Sequence, residues 1–211
     1  PAAAAPKTPA GAPASGTYRY RASGEEVVKL GPLPSETRPH PGTVTLKVGA
    51  AGAGCFATAL ALSDKHTEDT TWCTGDGLRI ASHVKHQKIV LLSPTATMNC
   101  PSAQLVTRYG RAANPRCTLN LAGGPAQLNA QLSGTTTVRW TTANVAGAAR
   151  EALLVEVVHQ VSGDLTGTWR EATWFARDGW LPLRIERTSE LRGLASLTER
   201  TTLELTSVTP G

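Results

Sequence analysis

The chain has 211 residues, 40% of them hydrophobic, and a net charge of +5. That is enough apolar material for one sizeable core, and all-β domains often reach this length undivided. No apolar run approaches the ~18 residues of a membrane helix, and no basic-then-apolar signal segment opens the chain. There is no helix-turn-helix, zinc-finger or RRM-type pattern, so nucleic acid is not an expected partner.

Residues 1–16, PAAAAPKTPAGAPASG, offer almost nothing to bury and read as a semi-extended, disordered linker. Residues 17–211 read as one antiparallel β domain. The chain starts at Pro1 rather than at a methionine, so a leader or anchor is expected to have preceded it. The linker would then hold the domain away from a membrane or wall.

From Gly16 onward the pattern has period two. Tyr18 and Tyr20 alternate with Arg19 and Arg21; Val44, Leu46 and Val48 alternate with Thr45 and Lys47. Phe56, Leu60 and Leu62 share a face, as do Leu78, Ile80 and Val84, and then Cys117, Leu119 and Leu121. Leu128 and Leu132, Val138 and Trp140, Val155, Val157, His159 and Val161, and finally Leu203 and Leu205 continue the series. Most runs end in Gly, Pro, Ser or Asn, which is turn chemistry bounding strand chemistry. About ten to twelve strands are expected on this pattern. One dry and one wet face per strand favours an antiparallel meander, forming a curved sheet, half-barrel or barrel, with a β-sandwich as the alternative. Helix is scarce; only short turns within 101-PSAQLVTRYG and 143-ANVAGAARE are candidates. The segment 168-TWREATWFARDGWLPLRIERTSE reads as a hairpin with Trp169, Glu171, Thr173 and Phe175 on one face. Asp178-Gly179 supplies the turn, in a loop slightly longer than two residues.

None of the four cysteines, Cys55, Cys73, Cys100 and Cys117, belongs to a C-x-x-C pair, which argues against zinc or thioredoxin-like chemistry. Two disulfides are expected, and with them an oxidising, extracytoplasmic setting. Four cysteines allow three connectivities. If 55-CFATALALS and 66-HTEDTTWC form a hairpin around Asp64, Cys55 falls opposite Cys73, at a Cα separation of ~4.5–5.5 Å that a disulfide can span. Cys100 then pairs with Cys117.

No catalytic motif is present. H-E-x-x-H, G-x-S-x-G and a phosphate-binding glycine loop are all missing, and 49-GAAGAG-54 reads as a hairpin connection. His83 and His86 fall on opposite faces of a strand, which disfavours a metal site. His159 reads as a packed core histidine. Glu68 and Asp69 point apart, and Glu171 and Glu186 read as members of cross-strand ion pairs with nearby arginines. No cofactor or metal is expected. Five tryptophans against two phenylalanines suit partly wet cavities or clefts, so Trp140, Trp169 and Phe175 are the candidate lining of a ligand cavity. Charge is uneven. Gly77 to Arg150 carries eight basic residues and no acid, leaving 13 of the 21 basic residues to face all 16 acidic ones. Arg108, Arg111 and Arg116 are the candidate contacts to an anionic surface.

The opening G-T-Y-R-Y strand, the T-T-W strand, the turn at 75-GDG and the closing 167-GTWREATWFARDGWLPLRIERTSE are similar to LolA/LppX/RseB-like bacterial envelope half-barrels. They also resemble actinobacterial secreted proteins and lipoproteins. The closing motif, T-x-W-[FW]-x-x-D-G-x-x-P-L-R, carries most of the likeness. The resemblance implies a curved antiparallel sheet whose concave face holds an acyl chain, or a sensor domain binding another envelope protein. The four cysteines and the scarcity of helix depart from that pattern.

The expected function is therefore a non-enzymatic, extracytoplasmic cell-envelope domain that binds a lipid or other hydrophobic or amphipathic ligand. An interaction domain for an envelope protein or anionic polymer is the alternative, and a secreted hydrolase the third reading.

Overall fold

A computed structural model describes residues 8, 9, 11–89, 92–102 and 104–211, the side chains at 101 and 102 aside. The fourteen strands are β1 (Gly16–Leu30), β2 (Glu36–Pro39), β3 (Thr43–Ala50), β4 (Cys55–Ser63), β5 (His66–Cys73), β6 (Gly77–Gln87) and β7 (Thr95–Ser102), followed by β8 (Gln104–Thr107), β9 (Arg116–Ala122), β10 (Leu128–Val145), β11 (Ala148–Gly163), β12 (Leu165–Ala176), β13 (Pro182–Gly193) and β14 (Ala195–Leu205). Neighbours in sequence pair antiparallel almost throughout. The last strand returns to the first, with Tyr20 opposite Leu205 and Leu30 opposite Ala195. The sheet is thus a closed barrel of twelve strands, with β2 flanking β1 and β8 flanking β6. Closure leaves no free sheet edge around the ring and excludes the sandwich.

Both short segments read as possible helix are strand or turn. Residues 101, 102 and 104–110, the described part of the first, run through the end of β7, β8 and a turn; residues 143–151 join β10 to β11. Thr, Gly and β-branched residues give a helix little support there.

Outward positions of β13 and β14 are polar: Arg184, Glu186, Thr188 and Glu190, then Thr198, Arg200, Thr202 and Glu204. No apolar lipid-facing band runs along these strands.

The lumen has three tiers. At one end Tyr18, Tyr20, Phe56, Leu78, Phe175, Trp180, Leu183, Leu203 and Leu205 form an apolar plug. Trp180 stands edge-on to Phe175 at 5.5 Å, and Trp72 to Phe175 at 6.0 Å. Residues just before β1 pack at this end. Pro9 and Pro13 are buried, and the Tyr18 hydroxyl donates to the Ala14 carbonyl at 2.8 Å. Residues 1–7 and 10 of the proposed linker lie outside the described residues. At the other end Met98, Leu119, Leu132, Val161, Leu165 and Leu191 line the wall, with Val28, Leu30 and Ile89 beside them. Between the two lies a belt of buried charge.

Two disulfides clip the wall. Cys55–Cys73 joins β4 to β5 at a Cα separation of 4.0 Å, and Cys100–Cys117 joins β7 to β9 at 4.1 Å. Register places Cys55 directly opposite Cys73, as the hairpin reading requires. Two bridges in one small domain point to an oxidising environment.

Candidate functional site

Each strand of the belt swaps apolar for polar residues at the same height. In β13 the inward series is Leu183, Ile185, Arg187, Ser189, Leu191; in β14 it is Leu205, Leu203, Thr201, Glu199, Leu197. Twelve strands enclose a lumen wider than simple aliphatic side chains fill, and long charged residues reach across it. Arg187 is the hub. Its guanidinium donates to Glu68 at 2.7 Å, to Glu171 at 3.0 Å and to Glu199 at 3.3 Å. Lys85 donates to Glu199 at 3.1 Å and stands 3.6 Å from Glu68. His66 Nε2 is 2.9 Å from Glu68, and its Nδ1 is 2.9 Å from Glu26 but off the line of a straight hydrogen bond. Arg38 continues the chain to Glu26 and Glu36, and Lys65 meets Glu36.

The connected network holds five carboxylates (Glu26, Glu36, Glu68, Glu171, Glu199) against four permanent cations (Arg38, Lys65, Lys85, Arg187). A protonated His66 balances it. Burial pulls the His66 pKa down and Lys85 adds to that, but Glu26 and Glu68 outweigh both and raise it. Burial alone would raise the Glu199 carboxyl; Lys85 and Arg187 hold it at about 2. Glu68 is likewise kept well below the usual carboxylate range, burial being overcome by Arg187, His66 and Lys85. Buried ions of this kind are tolerated only when fully paired.

Local sequence explains how these groups are aimed. A bulge where Trp72 pairs with Ile80 but Thr71 pairs with Ser82 leaves Ala81 unpaired. The inward face of β6 therefore passes from Leu78 and Ile80 to His83 and Lys85. The expectation that Val84 shares the face of Leu78 and Ile80 is corrected by this shift: His83 is 8% exposed, whereas Val84 is only half-buried. Gly167 has a φ of +138°, and a Cβ there would lie 1.9 Å from the Glu190 carbonyl oxygen. Only glycine allows the close β12–β13 approach just before Trp169. Gly134 sits opposite His159, and a Cβ there would press to 3.0 Å from the imidazole.

Trp169 lies between two histidines, with ring centroids 5.9 Å from His83 and 5.7 Å from His159. Two cavities meet at this group. A rim cavity of about 100 Å³ is walled by Leu30, Ile89, Leu119, Leu165, Leu191 and Leu197, with His83, Lys85, Trp169, Ser189 and Glu199 at its base. An inner chamber of about 70 Å³ is lined by apolar residues, among them Leu60, Met98 and Val157, by Glu68, Glu171 and Arg187, and again by His83 and Trp169. His83 and Trp169 thus form a partition common to both. His83 Nε2, His159 Nδ1, Trp169 Nε1 and Ser189 Oγ are buried without a protein hydrogen-bond partner. Burial depresses the pKa of His83 and of His159, keeping both rings neutral near pH 7. His83 Nδ1 is engaged with the Thr70 hydroxyl at 2.9 Å.

Of the aromatic residues expected to line a cavity, Trp169 does so. Phe175 is packed in the apolar plug, and Trp140 lies half-buried against the same plug, under the Arg177 guanidinium at 5.8 Å. The structure does not bring the three together. Arg108, Arg111 and Arg116 are exposed, with Arg108 stacked over the exposed Tyr109 at 4.6 Å. Arg79, Arg139 and Arg150 are exposed on neighbouring parts of the wall, whereas Lys85, counted with this basic stretch, points into the lumen. Glu171 does form a cross-strand ion pair, but its partner is Arg187 opposite it in the lumen. Glu186 pairs with Arg184 on the outer surface.

Sequence reading passed over Arg187, Lys85, Glu199, Glu26 and His66. The signal available was charge at inward parity within otherwise apolar strands, as in 183-LRIERTSEL and 197-LTERTTLEL. Among the described residues no three His, Cys, Asp or Glu side chains are placed to hold a metal ion, and no helix is long and apolar enough to cross a membrane. Comparison with protein-family models, with curated proteins and with solved structures finds no match.

Proposed function

We propose that this barrel is a non-enzymatic, extracytoplasmic binding protein that takes a hydrophobic or amphipathic ligand, lipid-like or otherwise, through its leucine-lined end. The observation that carries this reading is the rim cavity. Its wall is mainly aliphatic, it lies at an end of the barrel, and the exposed Lys29 and Leu194 stand at or beside its rim. At about 100 Å³ it is smaller than the ~300–1,000 Å³ of drug-sized sites, so it suits a short apolar body or the end of a longer chain. The disulfides support an oxidising location, and the Pro/Ala-rich start supports a tether to the cell envelope. The antiparallel meander suits the likeness to LolA/LppX/RseB-like proteins. The buried carboxylates Glu68 and Glu199 are held ionised by cations, the reverse of the raised pKa a general acid needs.

The test is native mass spectrometry of secreted protein with solvent extraction of the same sample. The expected result is a mass four hydrogens below the reduced chain plus an extractable apolar adduct. Leu119→Trp, which fills the cavity, removes the adduct while leaving the barrel's circular dichroism intact. Failure of both the secreted protein and protein incubated with short-chain apolar compounds to carry any adduct refutes the reading.

A second reading rests on the exposed arginines. Arg79, Arg108, Arg111, Arg116, Arg139 and Arg150 lie in a stretch of chain without one acid and suit an anionic envelope polymer or an acidic partner. Binding to polyglutamate that collapses between 50 and 300 mM salt (on the order of a Debye-length effect), and that is lost on Arg108→Gln/Arg111→Gln/Arg116→Gln, would support it.

A further inference from the structure

The charge belt and the partition at Trp169 say what kind of ligand end can enter. Every formal charge at the base of the rim cavity and around the inner chamber is already engaged: Lys85 with Glu199 and Glu68, and Arg187 with Glu68, Glu171 and Glu199. Lys29, at the rim, joins no ion pair among the described residues, but it is exposed, where water screens it. A carboxylate or ammonium pushed to the base would have to break a paired group or stay unpaired in a dry site, and both are costly.

What the base does offer is neutral hydrogen bonding. Trp169 Nε1 is a donor only, Ser189 Oγ is donor and acceptor, and neutral His83 Nε2 takes whichever role its tautomer leaves. Three such atoms without partners, on three residues that line one cavity, concentrate unmet hydrogen-bonding capacity at one place, which a ligand or a water would satisfy. We propose that the rim cavity is a two-part site, an aliphatic wall over a polar base, for an uncharged amphipathic molecule. Its apolar body lies among Leu119, Leu165 and Leu191, and its neutral oxygen-bearing head (an alcohol, amide, ketone or ester) accepts from Trp169 and bonds Ser189 and His83. This rests on the apolar-ligand reading above and narrows it to a ligand class. It also assigns the partition a role: Trp169 and His83 separate the rim cavity from the chamber that holds Glu68, Glu171 and Arg187, so the head stops at the base and leaves the network intact.

The experiment compares 1-hexanol, hexanoate, hexylammonium and n-hexane at saturation, at pH 7.5, by NMR titration of the full chain. The readouts are the Leu119 and Leu191 methyl resonances and the Trp169 indole N–H, the last assigned with Trp169→Phe. The expected result is that hexanol shifts all three and binds at least tenfold more tightly than either ion. Ser189→Ala, a small change at a buried position, should weaken hexanol several-fold without altering the response to hexane. If hexanoate or hexylammonium binds as well as hexanol, the uncharged head is refuted while the apolar site stands. If hexane matches hexanol and the indole N–H does not move, the polar base takes no part and the inference falls. If no probe moves the leucine methyls, the apolar-ligand reading itself fails.

Discussion

Arg187→Met is the substitution the belt responds to most. The arginine is 5% exposed and bridges Glu68, Glu171 and Glu199 at 2.7, 3.0 and 3.3 Å. Methionine fills much of the same space but leaves these carboxylates with only Lys85 and His66 nearby. Removing one partner of a buried ion pair costs about 3–5 kcal/mol, a large share of the ~5–15 kcal/mol that holds a domain folded. For a chain of this size that lowers the melting midpoint by roughly 6–20 °C. The pH dependence gives a second check. In the native protein Glu199 is held at about 2 and Glu68 well below the usual range. Their stabilisation is therefore complete above the unfolded carboxylate pKa of about 4.5 and is lost as pH falls through the folded values. Without Arg187, burial dominates and raises these carboxyls, so the variant is relieved as pH falls and they protonate. The gap between wild type and variant should be widest at pH 8 and should narrow by pH 4, measured by urea and thermal unfolding followed by circular dichroism. Adding Glu68→Gln should restore part of the loss at pH 8. A midpoint within about 2 °C of wild type, or a gap that widens on acidification, would refute the view of Arg187 as the hub.

Three other outcomes are expected. Replacing Cys55 and Cys73, or Cys100 and Cys117, with alanine opens loops of 18 and 17 residues and should cost about 3 kcal/mol per bridge; an unchanged urea midpoint would contradict this. His66 should titrate above 6.5 by imidazole C–H chemical shift, because Glu26 and Glu68 flank it. Its contribution to stability is then full below pH 6.5 and fades as pH rises through the folded pKa, so a wild-type advantage over His66→Asn that grows with pH would be the wrong sign. Trp180→Ala, at a fully buried position against Phe175, should cost about 3–5 kcal/mol while leaving hexanol selectivity unaltered; coupling to the ligand would mean that the plug and the rim cavity are not independent.

Strand alternation was plain in the chain, because a half-buried strand must repeat every two residues whatever surrounds it. Val44, Leu46 and Val48, or Val155, Val157, His159 and Val161, face inward as their spacing requires. The Cys55–Cys73 bridge followed from the same rule applied to one hairpin. Three features needed the tertiary structure. Closure of β14 on β1 pairs Tyr20 with Leu205, and nothing local distinguishes a strand that meets a far partner from one that ends a sheet. The bulge at Ala81 reversed the parity of β6 and turned His83 and Lys85 inward; 78-LRIASHVKH without its partner strand gives no sign of the extra residue. Arg187 and Glu68, 119 positions apart, meet only because a ring of twelve strands brings opposite walls within reach of long side chains. Period two can say that a residue faces the lumen, but which charge it finds there depends on the curvature of the whole sheet.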